Sequence, residues 1–202
     1  MQEQRIYTFY AFHGTAESCA IIIDETRYFE SGEPRDDHWL GQGSYFFRDD
    51  EEQAAIWAKN KVARHPKFKG ETPCVIEVIL ESEEPKFLNL DTRKGLTILE
   101  EHLNFLKEQG IQIECSSLGN MPMKIRCFIL SLLPDNIWMV QRTFDTQSRF
   151  DRNDMFISME LKLHGTQICV RNNEVIKGNS IKMRRLLTPV RKKTGGKPRL
   201  IN

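Results

Sequence analysis

Ile6-Tyr7-Thr8-Phe9-Tyr10-Ala11-Phe12-His13-Gly14-Thr15 is apolar, aromatic and rich in residues that favour strands, and it closes on a glycine. It predicts a strand over Ile6 to His13, with His13 at the strand end. Thr15 is placed to cap the following helix, which runs from Glu17 to about Asp24 and turns Cys19, Ile22 and Ile23 to the core. The result is a histidine beside a glycine whose backbone a ligand can approach closely. Further along, Trp39-Leu40-Gly41-Gln42-Gly43-Ser44-Tyr45-Phe46-Phe47 supplies a glycine pair leading into a short strand that carries a tyrosine. Each half is common alone, as the second His-Gly-Thr at His164-Gly165-Thr166 illustrates. In this order, the two halves point to a pocket for a flat ring.

Outward from these motifs the pattern is mixed. Asp49-Asp50-Glu51-Glu52 sets carboxylates where a helix start favours them, and Ala54, Ala55, Trp57, Ala58 and Val62 suit the helix's core face. Cys74 to Leu80 alternates as a strand does, and Phe87 to Leu90 is a second, shorter one. Thr92 to Gln109 is a helix with Leu96, Leu99, Leu103 and Leu106 as its core stripe. Lys124 to Leu133 is a helix stopped by Pro134, and Ile137 to Phe144 and Gly165 to Val170 are late strands. Ser31 to His38 and Ser116 to Met123 are loops, the first placed to cover a ligand. The fold class expected is α+β.

The chain has 202 residues and 40% hydrophobic content, enough for one core and one domain. Its apolar runs are too short to span a bilayer, and its first residues are polar, so no membrane span and a cytoplasmic location are expected. Cys19, Cys74, Cys115, Cys127 and Cys169 are dispersed among apolar neighbours without zinc spacing, which predicts reduced, structural thiols and no metal site. The net charge of +1 hides an asymmetry. From Lys182 onward the chain is purely basic, with Lys182, Arg184, Arg185, Arg191, Lys192, Lys193, Lys197 and Arg199 facing an acidic remainder. Such a tail can follow nucleic-acid phosphates, dock on an acidic partner, or fold across its own acidic body.

Taken together, His13-Gly14-Thr15, Gly43-Ser44-Tyr45-Phe46 and the late segment Thr166-Gln167-Ile168-Cys169-Val170-Arg171-Asn172 resemble the signature of the ADP-ribosyltransferases of the diphtheria-toxin and poly(ADP-ribose)-polymerase branch. The helix Glu52-Gln53-Ala54-Ala55-Ile56-Trp57-Ala58 looks like the one following the tyrosine strand in bacterial members. The resemblance implies a fold of split mixed β-sheets flanked by helices around an NAD cleft. It would occupy residues 1–181, followed by a basic tail over 182–202. It also implies NAD+ as co-substrate, without a metal, and transfer of one ADP-ribose to a macromolecule. The basic tail tips the acceptor towards RNA or DNA over protein. A toxin of a toxin–antitoxin or phage-defence system, held in check by a neutralising protein partner, is the implied setting.

Breaking the nicotinamide–ribose bond passes through a sugar with cationic character, so the protein must hold the ring flat, fix the riboses and stabilise developing charge. The resemblance gives Gly14 the carboxamide through its main chain and Tyr45 the nicotinamide face. It gives His13 the adenosine ribose and Thr15 a secondary contact. Gly43 forms the glycine turn before the tyrosine, and alternation lets Phe47 flank the ring beside Tyr45. The third catalytic position, a glutamate in many relatives, reads Gln167 here. That neutral amide accepts a ribose hydrogen bond but supplies less field, with Glu160 and then Glu174 as alternative carboxylates. Arg171 is a candidate for the diphosphate, and His164, Arg184, Arg185, Arg191, Lys192 and Lys193 for the target. The missing glutamate also leaves open a catalytically silent NAD or ADP-ribose binder, or an NAD+ glycohydrolase.

Overall fold

The first strand, β1 (Ile6–Ala16), runs past its expected end, so His13, Gly14 and Thr15 lie within it. In this computed structural model the described residues are 5–32, 38–111, 122–146, 152, 154–160 and 163–186. Beyond β1 the strands are β2 (Ser44–Arg48), β3 (Pro73–Glu83), β4 (Phe87–Asn89), β5 (Met139–Asp145), β6 (His164–Val170) and β7 (Lys182–Arg185). They form one mixed sheet in the order β4-β5-β6-β2-β1-β3-β7. The β4–β5 pair is parallel and the other pairs are antiparallel. The α+β class is therefore observed. In place of two separate sheets there is one hydrogen-bonded series, with a weak seam where β1 and β2 share only Ala11↔Arg48 and Phe12↔Phe47.

Helices cover both faces. On one face, α1 (Glu17–Thr26) buries Ala20 and Ile23 in a cluster with Phe29, Phe46, Ile76 and Ile168. Its Ile22, expected in the core, faces solvent, because the helix lies on the sheet along a single narrow side. Ala16, with no side-chain hydrogen bond, caps α1, so Thr15 is not the cap. On the other face, α2 (Glu51–Arg64) starts where Asp50 accepts the Gln53 amide hydrogen, as the acidic run anticipates. Ala54 and Ala58 are its buried positions, while Trp57 stands 51% exposed instead of in the core. The same face carries α3 (Arg93–Glu108) and α4 (Pro122–Ser131), which pack Ile98, Leu99 and Leu130 around Leu88, Val140 and Cys169. In α3 the buried position nearest β4 is Gly95, where a Cβ would fall 1.8 Å from the Asn89 carbonyl oxygen. That close approach rotates the helix and leaves Leu96 exposed, against the expected stripe. A short helix, α5 (Asp154–Ser158), precedes β6.

The basic stretch from Lys182 begins inside the fold, because β7 pairs with β3 from Cys74↔Arg185 to Glu77↔Lys182. The boundary expected at 181 thus falls within the sheet. Of these basic residues, Lys182 pairs with Glu77 at 3.1 Å, and Arg184 and Arg185 pair with Glu51 and Glu17. Folding across the acidic body is what this part of the basic stretch does. Arg191, Lys192, Lys193, Lys197 and Arg199 lie outside the described residues, as do Cys115 and most of the two expected loops. Cys19, Cys74, Cys127 and Cys169 are reduced, outside any disulfide. Among the described residues, no helix is long and apolar enough to cross a membrane, and no three His, Cys, Asp or Glu side chains converge as a metal site would require.

Candidate active site

The seam between β1 and β2 is the most unusual feature of the sheet. In an antiparallel pair, alternate residues exchange both main-chain bonds. The Asp49 amide donates to the Tyr10 carbonyl at 3.0 Å, which sets Tyr10 and every second residue after it as the β1 positions whose main-chain groups face β2. The register carries the pattern to Phe12↔Phe47 and then to Gly14 and Tyr45, but pairing stops at Phe12↔Phe47. The Tyr45 carbonyl instead accepts from Nδ1 of His13 at 2.8 Å. The imidazole occupies the place of the Gly14 amide and releases Gly14's N–H and C=O from β2.

His13 is held for this task. Its ring stands edge-on to Phe29, with centroids 5.5 Å apart, and tilted against Phe46 at the same separation. Burial, helped by the Lys61 ammonium and opposed by the Tyr45 carbonyl, pushes its pKa down to about 4. The ring is therefore neutral near pH 7. Because a carbonyl only accepts, the proton sits on Nδ1 and Nε2 remains an acceptor.

Gly14 has its own constraint. A Cβ there would lie 2.0 Å from the Ala54 carbonyl oxygen and 2.9 Å from the Ala58 nitrogen, both on α2. The glycine is required by the contact between strand and helix, and the free main chain is a consequence of the seam. Gly43 and Gly41 are likewise set by packing. Gly43 has φ +153 and leaves no room for a Cβ against the Val170 carbonyl, while Gly41 has φ +83 and touches α4 at Leu130.

Tyr45 emerges on the face opposite to the His13 ring, since its side chain packs with Leu40 and Cys169 while His13 packs with Phe29 and Phe46. The resemblance implies one cleft lined by the imidazole and the phenol together. Instead they flank the seam from its two sides. The Tyr45 hydroxyl accepts from the Leu40 amide and donates to the Gly41 carbonyl, each at 2.7 Å, which braces the glycine loop. Burial holds its pKa above the ordinary tyrosine value, so it stays protonated.

The other candidates divide. Gln167, half-buried on β6, sits opposite Phe47 on one side and Arg142 on the other, on Tyr45's face by alternation. Phe47 shares that face but is core, packed with Ala54 and Val75 under α2, so it does not flank a ring beside Tyr45. Thr15 is fully buried and accepts from Nζ of Lys61 at 2.8 Å, which removes it from ligand contact. Arg171 is engaged by the carbonyls of Leu133, Pro134 and Ile137 at 2.8 to 2.9 Å, so it braces the chain after α4 rather than meeting a diphosphate. Glu160, at φ +55 beyond α5, is exposed, and Glu174 is exposed in a helical turn after β6. His164 pairs with Asp145 at 3.0 Å on the surface.

Three cations that no motif singles out close on this region: Lys61 of α2, Arg126 of α4 and Arg142 of β5. Arg142 carried a faint signal in its alternation with Phe144, but Lys61 and Arg126 are brought in only by helix packing. No family model matches this chain, and comparison with curated proteins and with solved structures likewise gives no significant match.

Proposed function

We propose that the seam binds the nicotinamide end of NAD+ and that the protein is an ADP-ribosyltransferase acting on a macromolecule. The observation that carries this reading is the replacement of the Gly14–Tyr45 main-chain pair by the His13–Tyr45 bond. A carboxamide needs one acceptor for its NH2 and one donor for its oxygen, and Gly14's C=O and N–H are such a pair in one plane. A ring entering between the strands has the phenol of Tyr45 towards one face and the imidazole of His13 towards the other. Nε2 of His13 accepts from a ribose hydroxyl while the ring is neutral. Gln167, across the same face as Tyr45, accepts a hydroxyl of the reacting ribose through its amide oxygen, and holds geometry without adding charge.

Because Gln167 is neutral, the silent NAD-binding module remains the second reading. Among the described residues, Glu160 and Glu174 are exposed, so a carboxylate substitute is not supplied by either in this arrangement. Arg184 and Arg185 are paired at the surface with Glu51 and Glu17, so the electrostatic case for an RNA or DNA acceptor leans on Arg191, Lys192 and Lys193. A toxin role with a neutralising protein partner follows from the transferase reading.

Incubating the protein with NAD+ labelled in its adenylate phosphate and with cell lysate, then separating protein from nucleic acid, is the test. Label in either fraction supports transfer and names the acceptor class. NAD+ binding without label or free ADP-ribose leaves the binding module, free ADP-ribose alone indicates hydrolysis, and no binding rejects all three. Gln167→Ala should reduce incorporation at least about tenfold if its amide orients the ribose. Unchanged incorporation removes Gln167 from the third position.

A further inference from the structure

From Arg126 and Arg142 we infer a phosphate-binding subsite on the sheet face beside Gln167, made of two guanidinium groups around the ring of Phe144. Its place, but not its chemistry, rests on the transferase reading. Arg142 and Phe144 alternate on β5 and share one face, and Arg142 is the register partner of Gln167. Arg126 reaches in from α4, with its guanidinium carbon 5.0 Å from the centre of the Phe144 ring. Its Nε donates to the Trp39 carbonyl at 2.7 Å, and Trp39 in turn meets Phe144 edge-on at 4.7 Å.

Among the described residues, Arg126's contacts are therefore a carbonyl and an aromatic face, neither of which carries a charge. Burial and the neighbouring Arg142 both disfavour its cationic form, yet a guanidinium stays protonated in any case. Arg142 donates through Nη1 to the Leu90 carbonyl. Its acidic neighbour, Asp91, stands 3.7 Å away, and Asp91's oxygens already accept from the Thr143 amide and hydroxyl at 2.9 Å. Among the described residues, the one carboxylate paired with either of these two partly buried cations is Asp91, 3.7 Å from Nη1 of Arg142. Nothing among the described residues accepts from either Nη of Arg126 or from Nε and Nη2 of Arg142.

An anion between them removes the like-charge repulsion, and a phosphate matches two guanidinium forks better than a carboxylate bridging one. The neutral amide at 167 belongs to the same arrangement, since a carboxylate there would sit opposite Arg142 and compete for it. The phosphate has two sources in the proposed reaction: the diphosphate of NAD+ or the backbone of a nucleic-acid acceptor.

The experiment uses the full chain and inorganic pyrophosphate, ADP-ribose and a single-stranded RNA as separate probes, with affinities measured for the wild type and for Arg126→Gln/Arg142→Gln. The double variant should bind pyrophosphate at least about tenfold more weakly, as expected for lost charge-assisted bonds. A matching loss for ADP-ribose with unchanged RNA affinity assigns the subsite to NAD+, and the reverse pattern assigns it to the acceptor. Unchanged affinity for pyrophosphate, ADP-ribose and RNA overturns it. Should the double variant not fold, arginine modification by phenylglyoxal in the wild type decides, with pyrophosphate shielding Arg126 and Arg142 if the inference holds and shielding neither if it fails. Pyrophosphate binding is read without NAD+, so failure of the transferase reading alone leaves this result standing.

Discussion

Acidification should weaken the fold through His13. The folded-state pKa of about 4 lies below the ordinary 6.5, so the unfolded chain takes up the proton first. Stability contributed by the neutral ring is thus complete above 6.5, falls as pH drops through the interval, and stops falling below about 4. The whole shift corresponds to roughly 3 kcal/mol. By about pH 5 the loss is about 1–2 kcal/mol, allowing for the solvent that reaches a half-buried ring. Urea denaturation of the wild type and of His13→Gln, each at about pH 7.5 and about pH 5, measures it. Glutamine retains a donor for the Tyr45 carbonyl but has no proton to gain, so the difference in stability between the two pH values should shrink by that amount. Equal pH dependence in the two proteins would show that the imidazole is not held neutral by its surroundings, and the assignment of Nε2 as acceptor would fall with it.

Gly14→Ala should lower the unfolding free energy by about 3 kcal/mol or more, because main-chain atoms of α2 stand where the methyl would go, and a thermal melt reads this directly. A melt unchanged from the wild type would mean that the strand and helix are not in that contact. Tyr45→Phe keeps the ring but strands the Leu40 amide and Gly41 carbonyl, with an expected cost of about 1–2 kcal/mol in chemical denaturation. NAD+ affinity should change less than the stability does. Arg171→Met removes three carbonyl contacts after α4 and should destabilise by about 2–4 kcal/mol while leaving the affinity for ADP-ribose in place. A selective loss of ADP-ribose affinity in that variant would return Arg171 to the diphosphate.

Strand positions were legible where side chains alternate between faces, as in β3, whose Cys74, Ile76, Val78 and Leu80 line one core face while Val75 is buried on the other under α2. The starts of α2 and α3 were legible because helix starts are set locally: Asp50, in the acidic run, takes the Gln53 amide, and Thr92, where the expected helix begins, takes the Gly95 amide. What failed was the rotation of helices about their axes. Leu96 and Ile22 look like core residues by spacing, but the tight approach of Gly95 to Asn89 and the narrow contact of α1 decide which side faces in. The motif around His13 located the seam, yet the bond from its ring to the Tyr45 carbonyl depends on the β1–β2 register, which spacing along the chain does not encode. Arg171 looked available because sequence shows its charge and not the carbonyls that surround it. The same blindness hid Arg126, which reaches Phe144 only through the packing of α4.

The amide resonance of Gly14, followed by NMR as NAD+ and then free nicotinamide are added, reports most directly on whether the seam takes a ligand. Both additions should move that resonance markedly while the Ala11 amide, within the paired part of β1, holds still. A Gly14 resonance that ignores both ligands at saturating concentration would contradict the account.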